Sequence, residues 1–180
     1  DPASVDEFQK LNSIKLPDDY VDYLVKYNGG LFRKSIFLRP GKPEVDTSVH
    51  IMYGLHEGPD GMTTDQIFKL SKHSDLSDFE NEFEHLFVFG QGEGGENLLL
   101  NLETGCVCLF DSNFSGSLRK AQVVANIIIL ANSFTEFVTG LQNFDEYLSC
   151  KLAPTERVAF EKRLEELGRQ FDDEAEDYKE

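Results

Sequence analysis

One segment constrains the fold more than any other: Leu16-Pro17-Asp18-Asp19 running to Tyr27-Asn28-Gly29-Gly30 carries both ends of a helix in its own residues. A proline at the start needs no amide hydrogen bond, and two acids in the first turn favour the positive end of the helix dipole. Asn-Gly-Gly ends the helix with residues that tolerate left-handed backbone. Leu16, Tyr20, Leu24 and Tyr27 recur at helical spacing, so this helix is expected to lay one apolar face on a core. A short amphipathic segment, Val5 to Leu11, precedes it.

The remaining chain alternates apolar runs with turn residues. Leu31 to Leu38 and Val49 to Leu55 are expected strands, separated by a polar stretch with Pro40 and Pro43. After the turn Gly58-Pro59-Asp60-Gly61, Thr64 caps an expected helix to about His73, and Asp75 to Glu84 is a loop or a further helical turn. Leu86 to Phe89, the Gly-rich loop Gly90 to Gly95, and Asn97 to Leu102 follow; Glu103-Thr104-Gly105 then turns the chain into an antiparallel Cys106 to Phe110. Alternation puts Cys106, Cys108 and Phe110 on one face of that strand, with Val107 and Leu109 on the other. Val123 to Leu130 leads into a helix capped by Asn132 or Ser133 with Phe134, Phe137, Val138 and Leu141 inward, and Pro154 opens a last helix with Val158, Leu164, Leu167 and Phe171 as its apolar positions. This order of elements predicts an α+β fold: a mainly antiparallel twisted sheet of about six strands with helices packed around it, plus a C-terminal helix. The expected organisation is one α+β domain over residues 1–150 and a helical extension with an acidic end over 151–180.

Length and composition suit a chain that folds without staples. At 180 residues, with 15 Phe and 6 Tyr, there is enough apolar side chain for a single core. Three cysteines, Cys106, Cys108 and Cys150, form no disulfide framework, and the longest apolar run, Ile127 to Ala131, is far shorter than a membrane span. A cytoplasmic, reducing setting is expected. The net charge of −16 argues against nucleic acid and anionic membrane as ligands, because neither is held without Lys and Arg.

The position of the charge is more informative than its sum. From His73 to Leu118 there is no Lys or Arg, while Asp75, Asp78, Glu80, Glu82, Glu84, Glu93, Glu96, Glu103 and Asp111 contribute nine negative charges. A surface of that kind steers a positive partner and opposes folding by self-repulsion. The ten acids of Glu156 to Glu180 are instead interleaved with five basic residues, the pattern of a solvated helix face. Asp75, Asp78, Glu80, Glu82, Glu84, Glu93 and Glu96 are therefore the candidate partner-binding residues.

Catalytic and ligand motifs are lacking. Gly90-Gln-Gly-Glu-Gly-Gly95 has neither the Lys nor the Ser/Thr of a phosphate loop, and Glu93 and Glu96 would repel phosphate. Cys106 and Cys108 have no second Cys/His pair at zinc spacing, and His50, His56, His73 and His85 are scattered singly. No catalytic residue, cofactor or metal site is expected.

Three segments together resemble the SUKH superfamily, which includes a fungal regulator of cell-wall synthesis and many bacterial immunity proteins. They are Leu16 to Leu24 with Tyr27 to Gly30; Phe87-Val88-Phe89-Gly90 with the Gly-rich loop, Leu98 to Leu102 and Thr104-Gly105; and Ile129 to Phe137 with Leu141. The chain departs from the common pattern in having no Trp. The resemblance implies that Leu16, Pro17, Tyr20, Leu24, Asn28, Gly29, Gly30, Gly90, Gly95, Gly105, Ser133, Phe134 and Phe137 are architectural. It also implies action by binding: neutralisation of a toxin, often a basic nuclease, or regulation of cellular proteins as a scaffold.

Overall fold

The computed structural model describes residues 1–38, 46–55, 83–110 and 126–163. Its elements are α1 (Pro2–Asn12), α2 (Asp18–Tyr27), β1 (Ile36–Leu38), β2 (Asp46–Met52), β3 (Leu86–Gly92), β4 (Asn97–Asn101), β5 (Val107–Phe110), β6 (Ile127–Ala131), α3 (Phe134–Gly140) and α4 (Phe144–Lys151), with helix again over 154–163. The six strands form one sheet in chain order, every neighbouring pair antiparallel. The α+β architecture read from the sequence is therefore the architecture found. The expected helix at Thr64–His73 lies outside the described residues.

Two compact units divide the chain, residues 1–141 and 142–180. In the first, α1, α2 and α3 contribute Val5, Tyr20, Tyr23, Leu24, Phe134 and Phe137, and the connection before α2 contributes Leu16, to a core completed by Phe87, Phe89, Leu98, Leu100, Val107 and Leu109 of the sheet. The opposite faces of the same strands form a second, smaller cluster of Leu86, Val88, Leu99, Cys108 and Phe110 with Phe83. Both faces of β5 are thus buried, as its alternation requires.

Tyr20 is the hub of the larger core. Its ring meets Phe134 at 4.8 Å, Phe89 at 5.7 Å and Phe87 at 6.1 Å between centroids, all edge to face. Each such contact adds about 0.5–1.5 kcal/mol beyond area burial.

The end of α2 is locked to the end of β2. Asn28 takes left-handed backbone at φ 53°, and its amide bonds back to the Leu24 carbonyl at 3.0 Å. Its side-chain oxygen accepts from the Leu55 amide at 2.7 Å. Gly30 and Met52 then exchange a reciprocal pair of backbone bonds at 2.8 and 3.0 Å. The two segments approach so closely that a Cβ on Gly54 would lie 1.9 Å from the Asn28 carbonyl oxygen, and one on Gly29 2.5 Å from the Gly54 nitrogen.

Several expectations need correction. Leu31 to Ser35 is not strand; this stretch follows the helix stop and crosses to the sheet before β1 begins. Gly90, Gln91 and Gly92 belong to β3 instead of a loop, because they pair with Met52, Ile51 and Val49 of β2. Tyr27 is 60% exposed and Tyr23 takes the interior place, since burial on α2 ends at Leu24, one turn before the cap. Val158 is exposed on the last helical stretch. A helix not expected from the sequence, α4, is opened by a capping box in which Asn143 and Glu146 bond each other's backbone amides.

Gly54→Ala is expected to cost more than about 3 kcal/mol, because backbone atoms on both sides must move. Gly105→Ala meets nothing within 4 Å and bears only the strain of φ 77°, about 1–2 kcal/mol. Urea denaturation of the two variants measures the difference.

Candidate functional site

Of the seven acids singled out by the sequence, Asp75, Asp78, Glu80 and Glu82 lie outside the described residues. The other three are placed at opposite ends of β3. Glu84 precedes Leu86 in the turn at 83–85, whereas Glu93 and Glu96 follow Gly92. At about 3.3 Å per residue a strand of this length holds the two positions roughly 20 Å apart.

Glu93 is exposed on a firmly tied turn: its amide donates to the Ser48 carbonyl at 2.9 Å, and the Gly92 amide to the Glu96 carbonyl at 2.8 Å. Glu96 is half-buried, and its carboxylate folds back over the backbone, within 2.9 Å of where a Cβ on Gly94 would sit. Glu84 shares its end of the sheet with exposed Glu103, because the Leu102 amide bonds the His85 carbonyl at 2.7 Å. Among the described residues no three His, Cys, Asp or Glu side chains are grouped to hold a metal ion.

Of the residues that the resemblance marks as architectural, Leu16, Tyr20, Leu24, Phe134 and Phe137 are buried core. Asn28, Gly29 and Gly30 make the lock to β2, Gly90 faces the Ile51 carbonyl, and Gly95 and Gly105 close the turns after β3 and β4. Ser133 caps α3 by accepting from the Glu136 amide at 3.0 Å, while Glu136 accepts from the Asn132 amide at 2.8 Å. Asp19 reaches from α2 to accept the Thr135 amide at 2.8 Å, which ties α2 to the positive end of α3.

That tie frames a groove the sequence reading did not single out. One lobe, of about 210 Å³, is lined by Asp19, Asp22, Tyr23, Lys26, Tyr27, Phe134, Thr135, Val138 and Thr139. A second lobe of about 340 Å³, lined by Gly29, Leu31, Phe32 and Arg33, shares Tyr23, Tyr27 and Val138 with the first. Tyr27 and Leu31 expose 60% and 66% of their surface here, and the Lys26 ammonium sits 4.9 Å over the Tyr27 ring. The spacing of Tyr20, Tyr23 and Tyr27, with Leu31-Phe32 beyond the helix stop, was the available signal.

Two phenols beneath this surface lack hydrogen-bond partners: the buried hydroxyls of Tyr20 and Tyr23. An orphaned buried donor costs about 1–3 kcal/mol, so phenylalanine at either position would pack with less penalty. Burial, and secondarily the neighbouring phenols, push both hydroxyls far above their ordinary value of 10.0. Burial also raises the Cys108 thiol from 9.0 to about 11, with Cys106 as the lesser cause. Cys108 is thereby a packing group with an inert thiol.

Residues 1–140 match the SMI1 / KNR4 family (SUKH-1). The chain belongs to this family. No curated protein and no solved structure matches it. The match ends one residue short of the 141/142 division, so the SMI1 / KNR4 domain corresponds to the unit holding the sheet, the lock and the groove. The second unit lies beyond the family match. Among the described residues no helix is long and apolar enough to cross a membrane.

The raised thiol and phenols fix the sign of an alkaline effect. The unfolded chain releases these protons first, so their contribution is complete below pH 9 and is lost as pH rises through 9 to 11 for Cys108, and above 10 for the tyrosines. Tyr20→Phe with Tyr23→Phe is expected to flatten the fall in denaturation midpoint above pH 10. A slope equal to that of the parent chain would contradict this origin.

Proposed function

We propose that this SMI1 / KNR4 domain is a non-enzymatic protein-binding module, and that it acts as an immunity protein occupying the basic surface of a cognate toxin, a nuclease being the fitting class. One observation carries the reading: 46 consecutive residues, His73 to Leu118, contain nine acids and no Lys or Arg. A toxin that holds nucleic acid is itself basic, so an acidic inhibitor can take the place of its substrate electrostatically. The exposed side chain of Glu93, on a turn bonded to both neighbouring strands, supports this by offering a charge whose position is fixed.

The family match fits a second reading equally, a regulatory scaffold for cellular proteins. The two differ in their partner's charge. An inhibitor of a basic toxin loses affinity steeply with salt, whereas a scaffold contact built on apolar side chains does not.

The quadruple variant Asp75→Lys, Asp78→Lys, Glu84→Lys, Glu93→Lys leaves Glu96 in place, because its carboxylate packs on the turn. Against a basic nuclease toxin that the parent chain binds, association is expected to slow by about tenfold to a thousandfold and to lose its salt dependence. Surface plasmon resonance at two salt concentrations, with circular dichroism to check the fold, measures this. Unchanged association would sink the electrostatic mechanism.

A further inference from the structure

We propose that the groove between α2 and α3 is a docking site for an extended segment of another protein, one that seats an aromatic side chain against Tyr23, Tyr27 and Val138 and carries a basic residue toward Asp22 and an acidic one toward Arg33. This rests on reading the chain as a protein-binding module, but not on the acidic stretch.

Three observations point to that occupant. The lobes of about 210 and 340 Å³ share an apolar floor, and the exposed Tyr27 and Leu31 stand on its margin. Tyrosine is a favoured anchor at protein interfaces because it offers a large rigid surface at low entropy cost. Both lobes open on a margin of exposed side chains, Tyr27 and Leu31, whereas a cofactor site encloses most of its ligand.

The floor is aromatic as well as apolar. The Tyr23 ring lies 5.5 Å from the exposed Tyr27 ring and 5.9 Å from the Phe32 ring, so an aromatic side chain of the segment finds ring partners on this floor.

The rim supplies complementary charge. Asp22 lies in one lobe and Arg33 in the other, both exposed and neither in an ion pair among the described residues, while the neighbouring Asp19 is already committed to the Thr135 amide. A segment with a cation on one side of its aromatic residue and an anion on the other pairs both ends at once.

The chain has no Trp, so the fluorescence of a Trp peptide is read without background. The probe is Ac-Lys-Gly-Trp-Gly-Glu-amide, titrated into the full chain while backbone amides are followed by NMR. A blue shift saturating near roughly millimolar peptide is expected, with amide changes confined to Asp19–Arg33 and Phe134–Thr139. Tyr27→Ala, an exposed position that leaves the fold intact, should weaken binding about tenfold, whereas Tyr23→Phe, which removes only a hydroxyl sealed beneath the floor, should leave binding as it is while raising the melting temperature.

Replacing the peptide's Trp by Ala should abolish the amide changes, and Glu93→Lys should leave them as they are. Overturning results are the absence of any shift up to about 10 mM peptide, undiminished binding by Tyr27→Ala, or equal weakening by Glu93→Lys. Amide changes in the groove that follow protein concentration without peptide would place a second copy there and equally overturn the proposal. Because the probe is independent of any toxin, failure here leaves the acidic-surface reading standing, and failure of that reading leaves this one.

Discussion

The lock between the end of α2 and the end of β2 is the constraint on which the rest of this domain depends. Asn28 serves three purposes there. It accepts left-handed backbone to stop the helix, its amide closes the last turn, and its side chain reaches 27 residues ahead to hold the Leu55 amide. Gly29 and Gly54 let two backbones meet at a distance no side chain permits. This fixes α2 against the sheet, and α2 in turn holds Tyr20 at the centre of the aromatic core.

From that fixed helix the second attachment follows. Asp19 caps the first turn of α3 across 116 residues of sequence, so α2 and α3 are held as a pair over one face of the sheet. The space between them is the groove, and its character comes from α2: outward-facing Asp22, Lys26 and Tyr27 on the rim, Tyr23 on the floor. The same geometry leaves the hydroxyls of Tyr20 and Tyr23 unpartnered, a cost the aromatic packing around them outweighs. Among the described residues, the acids of that stretch, Glu84, Glu93, Glu96 and Glu103, stand at the two ends of the β3–β4 hairpin, apart from the groove.

Much of this was legible in the chain itself. Helix α2 carries its own start and stop, Asn132 and Ser133 were the candidate caps of α3, of which the structure uses Ser133, and the alternation of Cys106 to Phe110 correctly assigned each side chain to one of two buried faces. Where the reading failed, a tertiary partner had decided. Gly90 to Gly92 has the composition of a loop, and only pairing with β2 makes it strand. Tyr27 fits the periodic stripe of its helix, and only the position of the sheet beneath Leu24 shows that the stripe ends before reaching it. The capping box at Asn143 and Glu146 was readable and marks α4, but the short segment it opens lacks a strong apolar period.

The sequence by itself determined the α+β class and the punctuation of the helices, because turns, caps and side-chain alternation are local and their chemistry is written in neighbouring residues. It also determined that nine acids crowd one stretch without a counter-charge. Only the tertiary structure decided where such charges stand: Glu84 and Glu93 are nine residues apart in the chain, yet an intervening strand sends them to opposite ends of the sheet. It alone brought Tyr23, Val138 and Arg33 to one groove, for an apolar floor between two helices is a property of their packing, and no single segment contains it.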